Sequence, residues 1–234
     1  NMIRILVDSA SDISYTNSEN ILVVPLSVNI GGKSYIDGVE LGHDQFYEML
    51  ETAQVLPTTS QASPYAFSAA FGQAVADGDE VIAIAVSSKL SGTYQSAVIA
   101  AEDFENIYVV DCASVAIGGG ILVEQALRYL REGLSAKEIA QRLEADKEKI
   151  IIVALVDTLE YLKRGGRVSK TVAFAGTLLN IKPVLAVRDG EILMLGKARG
   201  SKQGNNLLVQ EIEKAGGVDF SRPVLLGYTG LSDA

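Results

Sequence analysis

The stretch Ser87-Ser88-Lys89-Leu90-Ser91-Gly92-Thr93-Tyr94 carries the densest set of groups able to meet a ligand. It follows the apolar run Val81–Val86 and precedes a helical pattern. That puts it at the carboxyl end of a buried strand, where open α/β sheets bind ligands. Small residues let the backbone come close, and a helix start supplies N–H groups with no intrahelical partner and a partial positive charge. Two readings fit these residues equally: an ordinary helix N-cap, or a site for an anion. The GxxxxGK[ST] pattern and its lysine are missing, so the loop does not favour phosphate over carboxylate.

Other clusters are weaker. Thr58-Thr59-Ser60-Gln61, ahead of Pro64, reads by itself as a polar turn. Asp8-Ser9-Ala10-Ser11-Asp12 closes the first strand and shares the rim with Ser91. Its carboxylates could be an acid–base pair or metal ligands, but turn formation is the favoured reading. Lys163-Arg164-Gly165-Gly166-Arg167 gathers cations at a flexible corner. It is either a helix C-cap with favourable charges or a place where an arginine meets an anionic group at a junction between domains. Cys112 is read as a buried structural thiol and His43 as a solvated loop residue.

The elements that must position these groups follow from periodicity. Ile3–Val7 is a strand; Leu22–Ile30, the Gly31-Gly32 turn and Lys33–Ile36 read as a hairpin. Asp44–Thr52 is a short helix, Pro57–Ser63 a loop, and Pro64–Ala76 a helix with Ser63 as N-cap. Val81–Val86 and Ile107–Val110 are continuous apolar strands of the kind covered on both faces. Helices are expected over Tyr94–Phe104, up to about Glu132, and over Ser135–Lys147. Beyond Ile150 come a strand at Ile151–Val156 and short helices at Asp157–Lys163 and Ser169–Leu179. A hairpin follows across Asp189-Gly190, then a helix over Ser201–Lys214 and a strand at Val224–Tyr228.

The pattern predicts two α/β domains, 1–149 and 150–234: the first a mainly parallel sheet with helices on both faces, the second smaller and mixed. Leu231-Ser232-Asp233-Ala234 reads as the start of a helix, so the natural protein is expected to continue beyond it.

Composition removes several functions. The 234 residues are 48% hydrophobic and 21% charged, ordinary for a globular protein, and no apolar run is long enough to span a bilayer. The opening residues lack the charged and apolar regions of a secretory leader. One cysteine and one histidine exclude an internal disulfide and a structural zinc site, and fit a reducing cytoplasm. A net charge of −9 argues against nucleic acid and gives an anionic ligand no help from the overall field. Any anion site must be made locally.

Taken in order, Asp8-Ser9-Ala10-Ser11-Asp12, Thr59-Ser60-Gln61, Ser87 through Ala97, Gly165-Gly166-Arg167 and Leu179-Asn180-Ile181-Lys182-Pro183 resemble the recurrent pieces of the DegV family. The likeness covers essentially the whole chain, and its Leu-Ser-Gly-Thr and Leu-Asn-Ile-Lys-Pro blocks are specific. It implies a two-domain DegV-like α/β fold holding one long-chain fatty acid as ligand, with no cofactor and no metal. By similarity the carboxylate would be held by Thr59 and Ser91 with the Gly92 N–H nearby. Arg167 matches the family arginine near the mouth, as a partner or head-group contact. Phe174 and Leu178 are candidates for the acyl tunnel.

Such proteins resemble the FakB-type subunit of bacterial fatty acid kinase, in which a separate ATP-binding subunit phosphorylates the bound acid for phospholipid synthesis. The chain departs from the family at Ala62, where proline is usual, and no residue here matches the family histidine of the C-terminal part. Two other functions stay open: a self-sufficient acyl or phosphoryl transferase using Asp8 or Asp12 as base, and a lipid-sensing interaction module.

Overall fold

The computed structural model describes residues 2–13, 18–168 and 180–230. The chain opens with β1 (Ile3–Asp8), and the expected single strand Leu22–Ile30 is two: β2 (Ile21–Val24) and β3 (Ser27–Ile30). Pro25 lies at the break. Proline offers no N–H to a ladder, so the chain leaves one sheet there and enters another. β4 (Lys33–Ile36) closes the hairpin over Gly31-Gly32, followed by α1 (His43–Thr52). The segment expected as a loop contains β5 (Thr58–Ser60), which pairs antiparallel with β3.

Next come α2 (Pro64–Ala76), β6 (Glu80–Ala85), α3 (Thr93–Ala101), β7 (Ile107–Asp111), α4 (Ile117–Arg131) and α5 (Ala136–Asp146). The start of α2 is as expected: Ser63 Oγ accepts the Ala66 N–H at 3.1 Å, with Pro64 in the first turn. Ser135 and Glu138 form a reciprocal capping box on α5. The remainder holds β8 (Ile152–Leu155), α6 (Glu160–Arg164), β9 (Ile181–Arg188), β10 (Glu191–Arg199) and α7 (Gly200–Lys214). The expected helix at 169–179 lies outside the described residues. Val224–Tyr228, expected as a strand, has no ladder partner and runs irregularly, with Leu226 97% exposed.

Among the described residues the strands form three sheets. β2-β1-β6-β7 is wholly parallel, whereas β4-β3-β5 and β10-β9-β8 are antiparallel. Alternation along the parallel strands divides the core. Ile5, Val7, Ile82, Ile84 and Val110 pack under α4 and α5; Leu6, Val24, Val81 and Ala83 pack under α2 and α3, against Phe67 and Phe71. Ile5, Leu6 and Val7 are all fully buried, which explains why the strand reads as an unbroken apolar run.

The strand order reverses direction between β1 and β6, and Asp8 bridges that seam. Its Oδ2 accepts the Val86 N–H at 2.6 Å and its Oδ1 the Ala10 N–H at 2.9 Å. Burial nevertheless raises its pKa from the usual 3.8 to about 6, because the two N–H groups only partly replace lost water.

The folded state therefore holds a proton on Asp8 that the unfolded chain has already released between pH 4 and 6. Stability must fall as pH rises through that window and level off above it, by about 3 kcal/mol for this group. Urea unfolding of the wild type and of Asp8→Asn at pH 4.5, 5.5 and 7 checks this. The difference between the two should move against the wild type as pH rises; a pH-independent difference would refute it.

Candidate functional site

Ser91 and Gly92 lie in the turn between β6 and α3. The backbone oxygen of Ser87 accepts the N–H groups of Leu90 at 2.9 Å and Ser91 at 3.1 Å, which folds the loop into a tight turn. Ser91 Oγ accepts the Thr93 N–H at 3.2 Å and shares a 2.9 Å hydrogen bond with Thr93 Oγ1. The hydroxyl of Ser91 thus takes the first N–H of α3, ahead of the N-cap Gly92, which has no side-chain cap of its own. The first-turn N–H groups of that helix have no partners within it and carry its positive end.

Thr59 arrives from a separate, antiparallel sheet, β4-β3-β5. On β5, the side chains of Thr58 and Ser60 turn toward Asn29, whose Nδ2 donates to both at 3.4 and 3.0 Å. Strand alternation aims Thr59 to the opposite face, beside its cross-strand partner Val28.

Gln61 then joins the two segments. Its Nε2 donates to the buried Ser96 Oγ at 3.0 Å, and its Oε1 lies 2.0 Å from where a Cβ on Gly92 would stand. Glycine at 92 is therefore a packing requirement, met by a side chain 31 positions earlier. The hydroxyls of Thr93 and Ser96 and the Gln61 amide belong to this corner, and residue patterns alone gave them no role. Their signals were the i, i+3 spacing of Thr93 and Ser96 on α3 and the fixed offset of Gln61 from Thr59.

Arg167 reaches the same loop from α6. That helix ends at Gly165-Gly166, with Gly166 at a φ of +73° and the Arg167 N–H donating back to Leu162 O at 3.0 Å. The reversal directs the guanidinium to Leu90 O at 3.2 Å and Gly165 O at 2.5 Å. Arg167 is exposed and retains further donors. Phe174 and Leu178 lie outside the described residues.

Other candidates fall away from this corner. Cys112 is buried, and burial pushes its thiol up to about 12, which leaves no thiolate for nucleophilic work. Burial also raises Asp12, which sits at a left-handed φ of 46° as a turn former. Among the described residues no His, Cys, Asp and Glu group could hold a metal ion, and no helix is long and apolar enough to cross a membrane. A cleft of about 520 Å³ shares Thr58 with β5 but opens toward Met49 and Leu56.

Residues 2–233 match the DegV family of uncharacterised proteins. The chain belongs to that family. A DegV domain-containing protein of Caldanaerobacter subterraneus is 41% identical over 94% of this chain and 79% of its own. Among solved structures, a DegV family protein of Thermus thermophilus described by its fatty-acid binding superposes with a TM-score of 0.82 at 36% identity. That match covers 91% of this chain and 77% of the other. A stearic-acid-binding protein of Eubacterium ventriosum gives 0.82 at 32% identity, over 91% and 76% of the two chains. The fatty acid kinase B3 protein of Streptococcus pneumoniae, loaded with linoleic acid, gives 0.81 at 28%, over 92% and 79%. The DegV fold is thus shared across this chain's parallel sheet and its smaller antiparallel ones.

The Gln61–Gly92 contact predicts a coupled pair. Gly92→Ala should expel the Gln61 amide from Ser96 and lower stability by about 1 kcal/mol, and Gln61→Ala should add little to it. Denaturant midpoints of the two single variants and the double variant measure this; simple additivity would show that the contact is not made.

Proposed function

We propose that this DegV protein binds one long-chain fatty acid and presents its carboxylate to a partner ATP-dependent kinase subunit for acyl phosphate formation. The observation that carries the reading is the Gln61–Gly92 lock, which holds two hydroxyl-bearing segments together at the positive end of α3. In this reading Thr59 and Ser91 donate hydroxyls to the carboxylate and the Gly92 N–H assists. Units 1–149 and 150–234 enclose the ligand from two sides, with Phe174 and Leu178 in the acyl tunnel. The fatty-acid-binding relatives support the ligand class, and the kinase B3 relative supports the partner.

The energetics suit a carrier. Each buried methylene contributes roughly 0.8 kcal/mol, so a long tail supplies ~10 kcal/mol before ordering costs. Hydroxyls and N–H groups can replace the water lost by the carboxylate while leaving an oxygen free to attack a phosphorus centre. A buried lysine would hold the head group more tightly and shield that oxygen.

A self-sufficient transferase is the poorer reading. Of its two candidate bases, Asp8 has both carboxylate oxygens engaged by backbone N–H groups in a fully buried seam, and Asp12 sits in a turn at a left-handed φ of 46°.

Native mass spectrometry of the purified protein, with lipid extraction, should find one fatty acid per chain. Ser91→Ala should release it about 10- to 100-fold more readily, the effect of losing a hydrogen bond to a charged group, without unfolding. Undiminished lipid in that variant would remove Ser91 from the site. Arg167→Ala should keep the lipid but depress acyl phosphate formation with the kinase subunit; loss of lipid instead would give Arg167 a head-group role. The protein alone should turn over no ATP.

A further inference from the structure

Ser87 opens the candidate loop, yet it faces inward. It is 1% exposed, whereas Ser88 and Lys89 beside it are exposed. Its N–H donates to Ser114 O at 2.9 Å, and its own carbonyl shapes the turn through Leu90 and Ser91. Its Oγ donates to Gly190 O at 2.7 Å in a buried bond and accepts the Lys89 N–H at 3.2 Å.

Gly190 belongs to the two-residue turn between β9 and β10, where Asp189 and Gly190 have φ of +50° and +76°. That turn type needs positive φ at both central residues. Gly190 is also glycine for fit, because a Cβ there would stand 2.5 Å from Ser87 Oγ. Lys89 and Glu191 flank the contact with a 3.6 Å exposed ion pair. One hydroxyl therefore ties the tip of the second unit's hairpin to the root of the loop bearing Ser91.

We propose that Ser87 is a positioning residue: through Gly190 it couples the second unit to the Ser91 loop, so that ligand retention depends on a contact outside the head-group site. Ser87 does not touch the ligand; it acts by holding the Leu90 and Ser91 backbone in its turn. The claim about retention rests on the fatty-acid reading above, while the claim about coupling does not.

Two measurements separate these. Wild type, Ser87→Ala, Gly190→Ala, the double variant and Ser91→Ala are loaded with cis-parinaric acid, and release into excess lipid vesicles is followed by fluorescence. Amide exchange by NMR is recorded alongside. Ser87→Ala and Gly190→Ala should each release the probe about tenfold faster, the effect of one lost buried hydrogen bond, and the double variant should be no faster than the faster single one. Exchange at Lys89, Leu90 and Ser91 should quicken in Ser87→Ala while Ile82–Ala85 stay protected; a merely destabilised fold would quicken both.

Unchanged release from Ser87→Ala, with rapid release from Ser91→Ala, overturns the proposal. If the wild type takes up no probe, the fatty-acid reading fails, and the exchange data decide the coupling: an unaltered Leu90 and Ser91 in Ser87→Ala overturns it. Should Ser87→Ala not fold, Ser87→Cys, whose thiol is a far weaker donor to Gly190 O, decides by the same two readouts.

Discussion

A carboxylate leaving water in a chain of net charge −9 must find its donors within a few ångströms, because the wider field repels it. In the proposed fatty-acid reading, much of the candidate corner follows from that constraint. The start of α3 offers oriented N–H groups, Ser91 takes the first of them, and Thr59 is brought up on a separate sheet. Neither segment could gather enough donors alone. The helix start lacks a second hydroxyl from outside its own turn, and β5 is a three-residue strand with no positive end. The parallel sheet matters chiefly because it is rigid. With Ile5 to Val7 and Val81 to Ala85 packed on both faces, the loops at its carboxyl rim have fixed roots.

How much of this could be read from the residues depended on range. Local chemistry was legible: Ser63 before Pro64, the Asp189-Gly190 turn and the apolar strands all emerged where composition placed them. Pro25 was visible but its effect was not. A missing N–H predicts an interruption, whereas the departure of β3 into another sheet depends on partners elsewhere. β5 was hidden because Thr58-Thr59-Ser60 has the composition of a turn and becomes a strand only beside β3. Val224–Tyr228 erred the other way, since β-rich residues without a neighbouring ladder do not make a strand.

The candidate site divides similarly. Thr59, Ser91 and Arg167 could be named from motif likeness, but what holds them in place could not. Gln61 meets Ser96 across 35 positions, and Ser87 meets Gly190 across 103. No short pattern reports such pairings. Both contacts do leave a trace, a glycine whose absent Cβ is occupied by the partner's polar tip. In the sequence, Gly92 and Gly190 look like ordinary cap and turn glycines. Only the structure shows that each has a second reason to be small.

Asp8 illustrates why a conspicuous carboxylate need not be chemical. At the seam where the sheet reverses its winding, the exposed strand ends leave backbone N–H groups that would otherwise be buried without acceptors. Asp8 satisfies Val86 and Ala10, and its raised pKa is the consequence of doing so in a dry place. A general base near neutrality needs such a value, but it also needs to lie within reach of a reacting group, and Asp8 is fully buried. Asp8 has the first property without the second. Val86 directly precedes Ser87, so this same bond fixes the strand end from which the candidate loop departs. The carboxylate at the centre of the rim is best understood as a support for the donors beside it.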